Sequence, residues 1–146
     1  MFMHVHADAI VYRRYATSIS SDDGVTWSTP TMMPGEGSAR PRLLSMGKGL
    51  LLSGGRSWKK NRDTLVWYNP KGDLVDWIEY SISYYHNKYI TNQTMRFDAA
   101  ATNSSDHWPR ESNSYSTLIK TGPSSAYVTY GLKGAYGFAM PIQLED

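Results

Sequence analysis

The chain has 146 residues, 15 basic and 13 acidic, for a net charge of +2. That length can bury a real core, and the charge balance gives no drive toward nucleic acid or an anionic membrane. The absence of cysteine excludes disulfide frameworks and thiolate zinc sites, and no apolar run approaches the ~18 residues of a membrane span.

Eleven Tyr, five Trp and three Phe, set among abundant Thr, Ser and Gly, favour β structure. Met1-Phe2-Met3-His4-Val5-His6 lacks the basic-then-apolar order of a signal sequence and reads as the interior of a strand. A strand there puts His4, His6 and Asp8 on one face, but no further ligands are spaced to complete a shell, so no metal site is expected. Residues 9–19 are rich in strand formers and lead into Ser20-Ser21-Asp22-Asp23-Gly24-Val25-Thr26-Trp27, which reads S-x-D-x-G-x-T-W. In a tight turn Asp22 folds its carboxylate onto the amides that follow. Gly24 supplies a positive φ, and Trp27 lays its ring over the hairpin's apolar face. Pro30, Pro34, Gly35 and Gly37 mark a loop.

Residues 40–46 and 50–56 are two apolar runs flanking Gly47-Lys48-Gly49, the pattern of a hairpin whose faces are both covered. Strands are expected at 63–68 and, after the turn at 69–73, at 77–80, so residues 40–80 form a four-stranded meander. Ser81-Ile82-Ser83-Tyr84-Tyr85 is expected as strand, and His86 to Glu111 as a polar, irregular loop. Asn92-Gln93-Thr94 and Asn103-Ser104-Ser105 fit the N-glycosylation triplet. A hairpin over 114–130, turning at Gly122-Pro123-Ser124, and a last strand over 136–142 complete a three-stranded unit.

The octet at 20–27 resembles the Asp-box of sialidases and related β-propellers, where it lies on the rim, away from the catalytic face. The resemblance extends to two further stretches. Arg40-Pro41-Arg42-Leu43-Leu44 with Leu50-Leu51-Leu52-Ser53-Gly54-Gly55-Arg56 resembles the part of sialidases that carries two functional residues sixteen positions apart. The first of these in the family is a Glu, the base for the nucleophile. The second is an Arg that grips the substrate carboxylate through two parallel hydrogen bonds. Arg56 matches that Arg, whereas Arg40 stands where the Glu is expected. Glu36 and Glu111 are the alternatives for the base. Ser114-Tyr115-Ser116-Thr117-Leu118 resembles the motif of the family's nucleophilic Tyr, which places Tyr115 in that role. A neutral phenol suits an anomeric carbon that bears a carboxylate, provided a base removes its proton. Arg96 and Arg110 are candidates for a further carboxylate-binding Arg.

The resemblance implies an all-β fold of antiparallel four-stranded blades from a six-bladed sialidase-type propeller. It is incomplete here at about two and a half blades, over approximately 1–33, 40–80 and 112–144 of a single domain. It implies catalysis by Tyr115, substrate binding by Arg56 and Arg40, and no cofactor. The partner is a sialylated or otherwise acidic glycan, with no nucleic acid and no membrane span. A free chain of this kind exposes sheet edges and is expected to self-associate through unpaired blades. The residues leave three readings open: a partial sialidase-like hydrolase, a non-catalytic Asp-box propeller that binds glycans or proteins, or an inactive fragment. The compartment is left open as well.

Overall fold

Strand β5, Gly49–Gly55, is buried on both faces, and the other elements are arranged around it. The computed structural model describes residues 2–7, 11–33, 37–47, 49–55, 63–73, 75–97, 112, 115–132 and 136–145. They form three antiparallel sheets with one helix. The first holds β1 (Phe2–Ala7), β2 (Val11–Thr17) and the two-residue β3 (Thr31–Met32) in the order β1-β2-β3. In the second, β4 (Ser38–Met46), β5, β6 (Thr64–Asn69) and β7 (Ile78–Ser81) lie in chain order as a four-stranded meander. The third contains β8 (Thr117–Lys120), β9 (Ser125–Leu132) and β10 (Tyr136–Gln143), with β9 central.

Alternation along β5 and β6 sends neighbouring side chains into different cores. Leu51 and Val66 pack with Met46, Ala126, Val128, Tyr130 and Leu132, between the second and third sheets. Leu52, Leu65 and Trp67 pack with Tyr15, Met33 and Trp77, between the first and second. The four-stranded sheet is thus the middle layer, and each fully buried Leu on it contributes about 1.5–3 kcal/mol. Tyr15 anchors the first sheet to it. Its ring meets Trp67 edge-on at a centroid distance of 5.6 Å, and it occupies the space that a Cβ on Gly37 or Gly54 would need. Burial pushes the Tyr15 phenol above its ordinary value.

β4 is less covered than its apolar run suggests. Leu43 remains 45% exposed, and of residues 40–46 only Met46, at the far end of the strand, is fully buried. The reason is that β4 is an edge of the middle sheet.

The octet at 20–27 forms a turn between β2 and β3. Asp22 accepts from the Thr26 amide at 2.8 Å and from the Thr26 hydroxyl at 2.5 Å, while the Ser20 hydroxyl donates to it at 2.8 Å. These bonds, the Thr26 hydroxyl first, hold the Asp22 carboxyl down at about 2. Both Asp23 (φ 55°) and Gly24 (φ 90°) are left-handed. Trp27 departs from expectation: it is 47% exposed. Its indole lies on Gly24 and donates to the Gly24 carbonyl at 3.0 Å, so the ring seals the turn itself.

Residues 82–89 are a helix, α1 (Ile82–Tyr89), where strand was expected at 81–85. Local β propensity loses to tertiary contacts here. The Ser81 side chain caps the helix by accepting from the Tyr84 amide at 3.2 Å, and the helical turn buries Ile82 and His86 together. A single 3-10 turn follows at Gln93–Met95. His86 is enclosed by Phe97, Phe138 and Tyr130. One ring nitrogen, Nε2, donates to the Met95 carbonyl at 2.9 Å, which leaves Nδ1 to accept from the Tyr130 hydroxyl at 3.0 Å. Burial lowers the His86 pKa and raises that of Tyr130 to about 12.

Three predictions follow from this packing. Gly54→Ala drives a methyl into Tyr15 and should cost roughly 1–3 kcal/mol in urea denaturation, whereas Tyr15→Phe, which keeps the ring, should cost less.

Asp22→Ala should speed exchange of the Thr26 amide. It should also remove the part of the acid transition that Asp22 contributes, because a lowered carboxyl pKa stabilises above the ordinary 3.8 and loses that stability as pH falls toward 2.

Because the folded state lowers the His86 pKa, stability is complete above the ordinary 6.5 and declines as pH falls from there through the folded value. Urea midpoints at pH 7.5 and 5 should therefore differ less in His86→Gln than in the parent chain.

Candidate functional site

β4 carries a break in its pairing. Ser38 pairs with Gly55 and Arg42 with Ser53, so four steps along β4 match two along β5. Pro41 lies inside this bulge. It cannot donate to a ladder, and prolines within sheets are confined to edges and bulges. Bulges re-aim side chains. Arg40, next to Pro41, is exposed, and its guanidinium carbon stands 5.7 Å from the centroid of the Tyr115 ring. Tyr115 is 62% exposed and sits just before β8.

The next residue fixes that position. The Ser116 hydroxyl donates to the Ser53 hydroxyl at 3.0 Å, and Ser53 is fully buried on β5, directly opposite Arg42. The first strands of the second and third sheets, β4 and β8, pack against each other. Lys120 ties them again, its ammonium donating to the Ser45 carbonyl at 2.8 Å.

The structure therefore brings together Arg40 and Tyr115. Arg56 follows Gly55 directly in the chain but lies outside the described residues, as do Glu36, Glu111, Arg110, Asp8 and Asn103. Arg96 is described. Its Nε donates to the Ile90 carbonyl at 2.9 Å and a terminal nitrogen to the Asn87 carbonyl at 2.6 Å, at the C-terminal end of α1. Those bonds hold the chain after the helix in place. Among the described residues, no three His, Cys, Asp or Glu side chains are placed to hold a metal, and no helix is long and apolar enough to cross a membrane.

Sequence reasoning missed a buried polar cluster beside this region. Asp63 accepts from the Ser83 amide at 3.1 Å, from the Ser83 hydroxyl at 2.6 Å and from the Ser112 hydroxyl at 2.7 Å, and Ser81 donates to its other oxygen. The one available signal was an Asp opening an otherwise apolar strand run.

Chemically, Arg40 over Tyr115 is a cation on an aromatic face. It offers guanidinium donors to an anion and a ring face to a sugar. A guanidinium stays protonated and cannot accept the phenol's proton. No protein-family model, curated protein or solved structure matches this chain.

Proposed function

We propose that this chain is part of a sialidase-like, Asp-box β-propeller that engages terminal sialic acid or a related acidic sugar of glycoconjugates. The supporting observation is the Arg40–Tyr115 pair, in which an exposed cation lies on an exposed phenol. The pair is presented by β4 and by the residues that lead into β8, in a chain whose 20–27 turn has the hydrogen bonds its sequence pattern demands. Arg40 would hold the sugar carboxylate and Tyr115 would lie against the ring. Arg56, one residue beyond β5, is the second candidate donor to the carboxylate.

Hydrolysis with Tyr115 as nucleophile is the second reading, and the motif around Tyr115 favours it. The cation at position 40 favours recognition without turnover, since the base that a phenol nucleophile needs is replaced by an acid. Self-association belongs to the same proposal. The outward face of the third sheet carries Ile119, Tyr127 and Pro141 in one cross-strand row, all exposed. A neighbouring sheet would bury that row.

Titration of the folded chain with an α-sialoside, read by NMR, separates these readings. Arg40→Ala should weaken binding roughly 10- to 100-fold, the value of a charge-assisted hydrogen bond. Tyr115→Phe should bind nearly as well as the parent. If the parent chain also cleaves a fluorogenic α-sialoside, Tyr115→Phe should lower turnover by about 10²-fold or more, and hydrolysis becomes the function. A folded parent chain that neither binds nor cleaves α-sialosides ends the acidic-sugar reading.

A further inference from the structure

The triplet Asn92-Gln93-Thr94 takes no part in the site above, and its geometry is that of an exposed acceptor. All three residues are exposed, outside every strand ladder, on the chain that leaves α1. The base of this segment is fixed. Arg96 binds the Ile90 and Asn87 carbonyls, His86 binds the Met95 carbonyl, and Asn87 Nδ2 donates to the Phe97 carbonyl at 2.7 Å. Asn92 stands at the tip, with an extended backbone (φ −69°, ψ 112°).

The side chain is oriented by its own triplet. Asn92 Oδ1 accepts from the Thr94 amide at 3.1 Å and from the Thr94 hydroxyl at 2.9 Å. Both bonds use the oxygen and leave Nδ2 without a partner among the described residues. Thr91 is exposed, and Tyr89 is 68% exposed, so the approach to Nδ2 is open on the helix side.

We propose that Asn92 is an N-glycosylation site. The chemistry is transfer from a lipid pyrophosphate-linked oligosaccharide, the co-reactant of a secretory lumen. Nδ2 forms a bond to the anomeric carbon of the donor, the bond from that carbon to the pyrophosphate oxygen breaks, and the lipid pyrophosphate leaves with the electron pair. One proton passes from Nδ2 to a base of the transferase. Thr94 has the third-position hydroxyl that such acceptors require. The glycan would project from the end of α1, and the proposal does not rest on the reading of Arg40 and Tyr115.

The full chain, led into the secretory lumen of a eukaryotic host by a cleavable signal peptide, provides the test. Cleavage after Lys88 and Arg96 yields peptide 89–96, in which Asn92 is the only asparagine. Mass spectrometry should find this peptide carrying an oligosaccharide, and enzymatic release of the glycan should leave Asp at position 92. Thr94→Ser should keep the modification, and Thr94→Val should lose it while far-UV circular dichroism stays unchanged. An unmodified 89–96 peptide in the secreted parent chain overturns the proposal, as does a glycan that survives in Thr94→Val.

Discussion

The structure depends on a strand that must bury both of its faces. β5 reads Gly-Leu-Leu-Leu-Ser-Gly-Gly, and its adjacent Leu51 and Leu52 enter separate cores. A strand in a two-layer fold could satisfy only one of them. Covering both requires a layer on each side; here the first and third sheets supply them, so the four-stranded sheet becomes the middle layer. The second half of the strand uses small residues because other groups arrive there. The Tyr15 ring fills the place of a Gly54 side chain, and the Tyr15 hydroxyl lies 3.4 Å from the Gly55 amide. The Ser116 hydroxyl meets Ser53. One strand thus sets the spacing of both neighbouring sheets.

The candidate site sits at the seam between two of those layers. Arg40 reaches it because β4 pairs irregularly around Pro41, and Tyr115 because Ser116 is tied to β5. Neither residue alone distinguishes a site from an ordinary surface. Paired, they add one thing: a guanidinium placed over a phenol face is partly ordered before any ligand arrives, and that ordering reduces the entropy lost on binding. The same pairing restricts the chemistry. A phenol beside a permanent cation is suited to meeting an anion, and deprotonating it requires a group other than the one that lies on it.

Much of the strand order was legible in the sequence, because turns such as Gly47-Lys48-Gly49 and Gly122-Pro123-Ser124 punctuate apolar runs. The 20–27 turn was legible for the same reason: its bonds are local, made by Ser20, Asp22 and Thr26 to one another and to nearby amides. The helix over 82–89 was missed because much of what holds it is nonlocal. Ile82, Tyr84 and Tyr85 have strand propensity, and the helix exists because Ser81 caps it, Asp63 grips Ser83 from twenty positions away, and His86 finds Tyr130 across the core. The exposure of Leu43 likewise reflects where β4 lies in the sheet. Arg40 and Tyr115 were each singled out by motif and position, but their contact was not legible, because β4 pairs irregularly there in a way that Pro41 only hints at.

The buried cluster at Asp63 links that nonlocal packing to the site. A buried carboxylate costs several kcal/mol unless its lone pairs are met, and here three serine hydroxyls and an amide meet them. Ser112 is the member nearest Tyr115 in the sequence. Its hydroxyl donates to Asp63 and accepts from the Thr64 amide at 2.6 Å, and its backbone bridges to Leu132. Ser116 is fixed in turn by Ser53. Ser112 and Ser116 are thus anchored on either side of Tyr115 in the sequence, one to Asp63 and Thr64 and the other to Ser53. The polar cluster, which contributes little net stability against an apolar replacement, thus fixes Ser112, three positions before Tyr115, against the strand that pairs with β5.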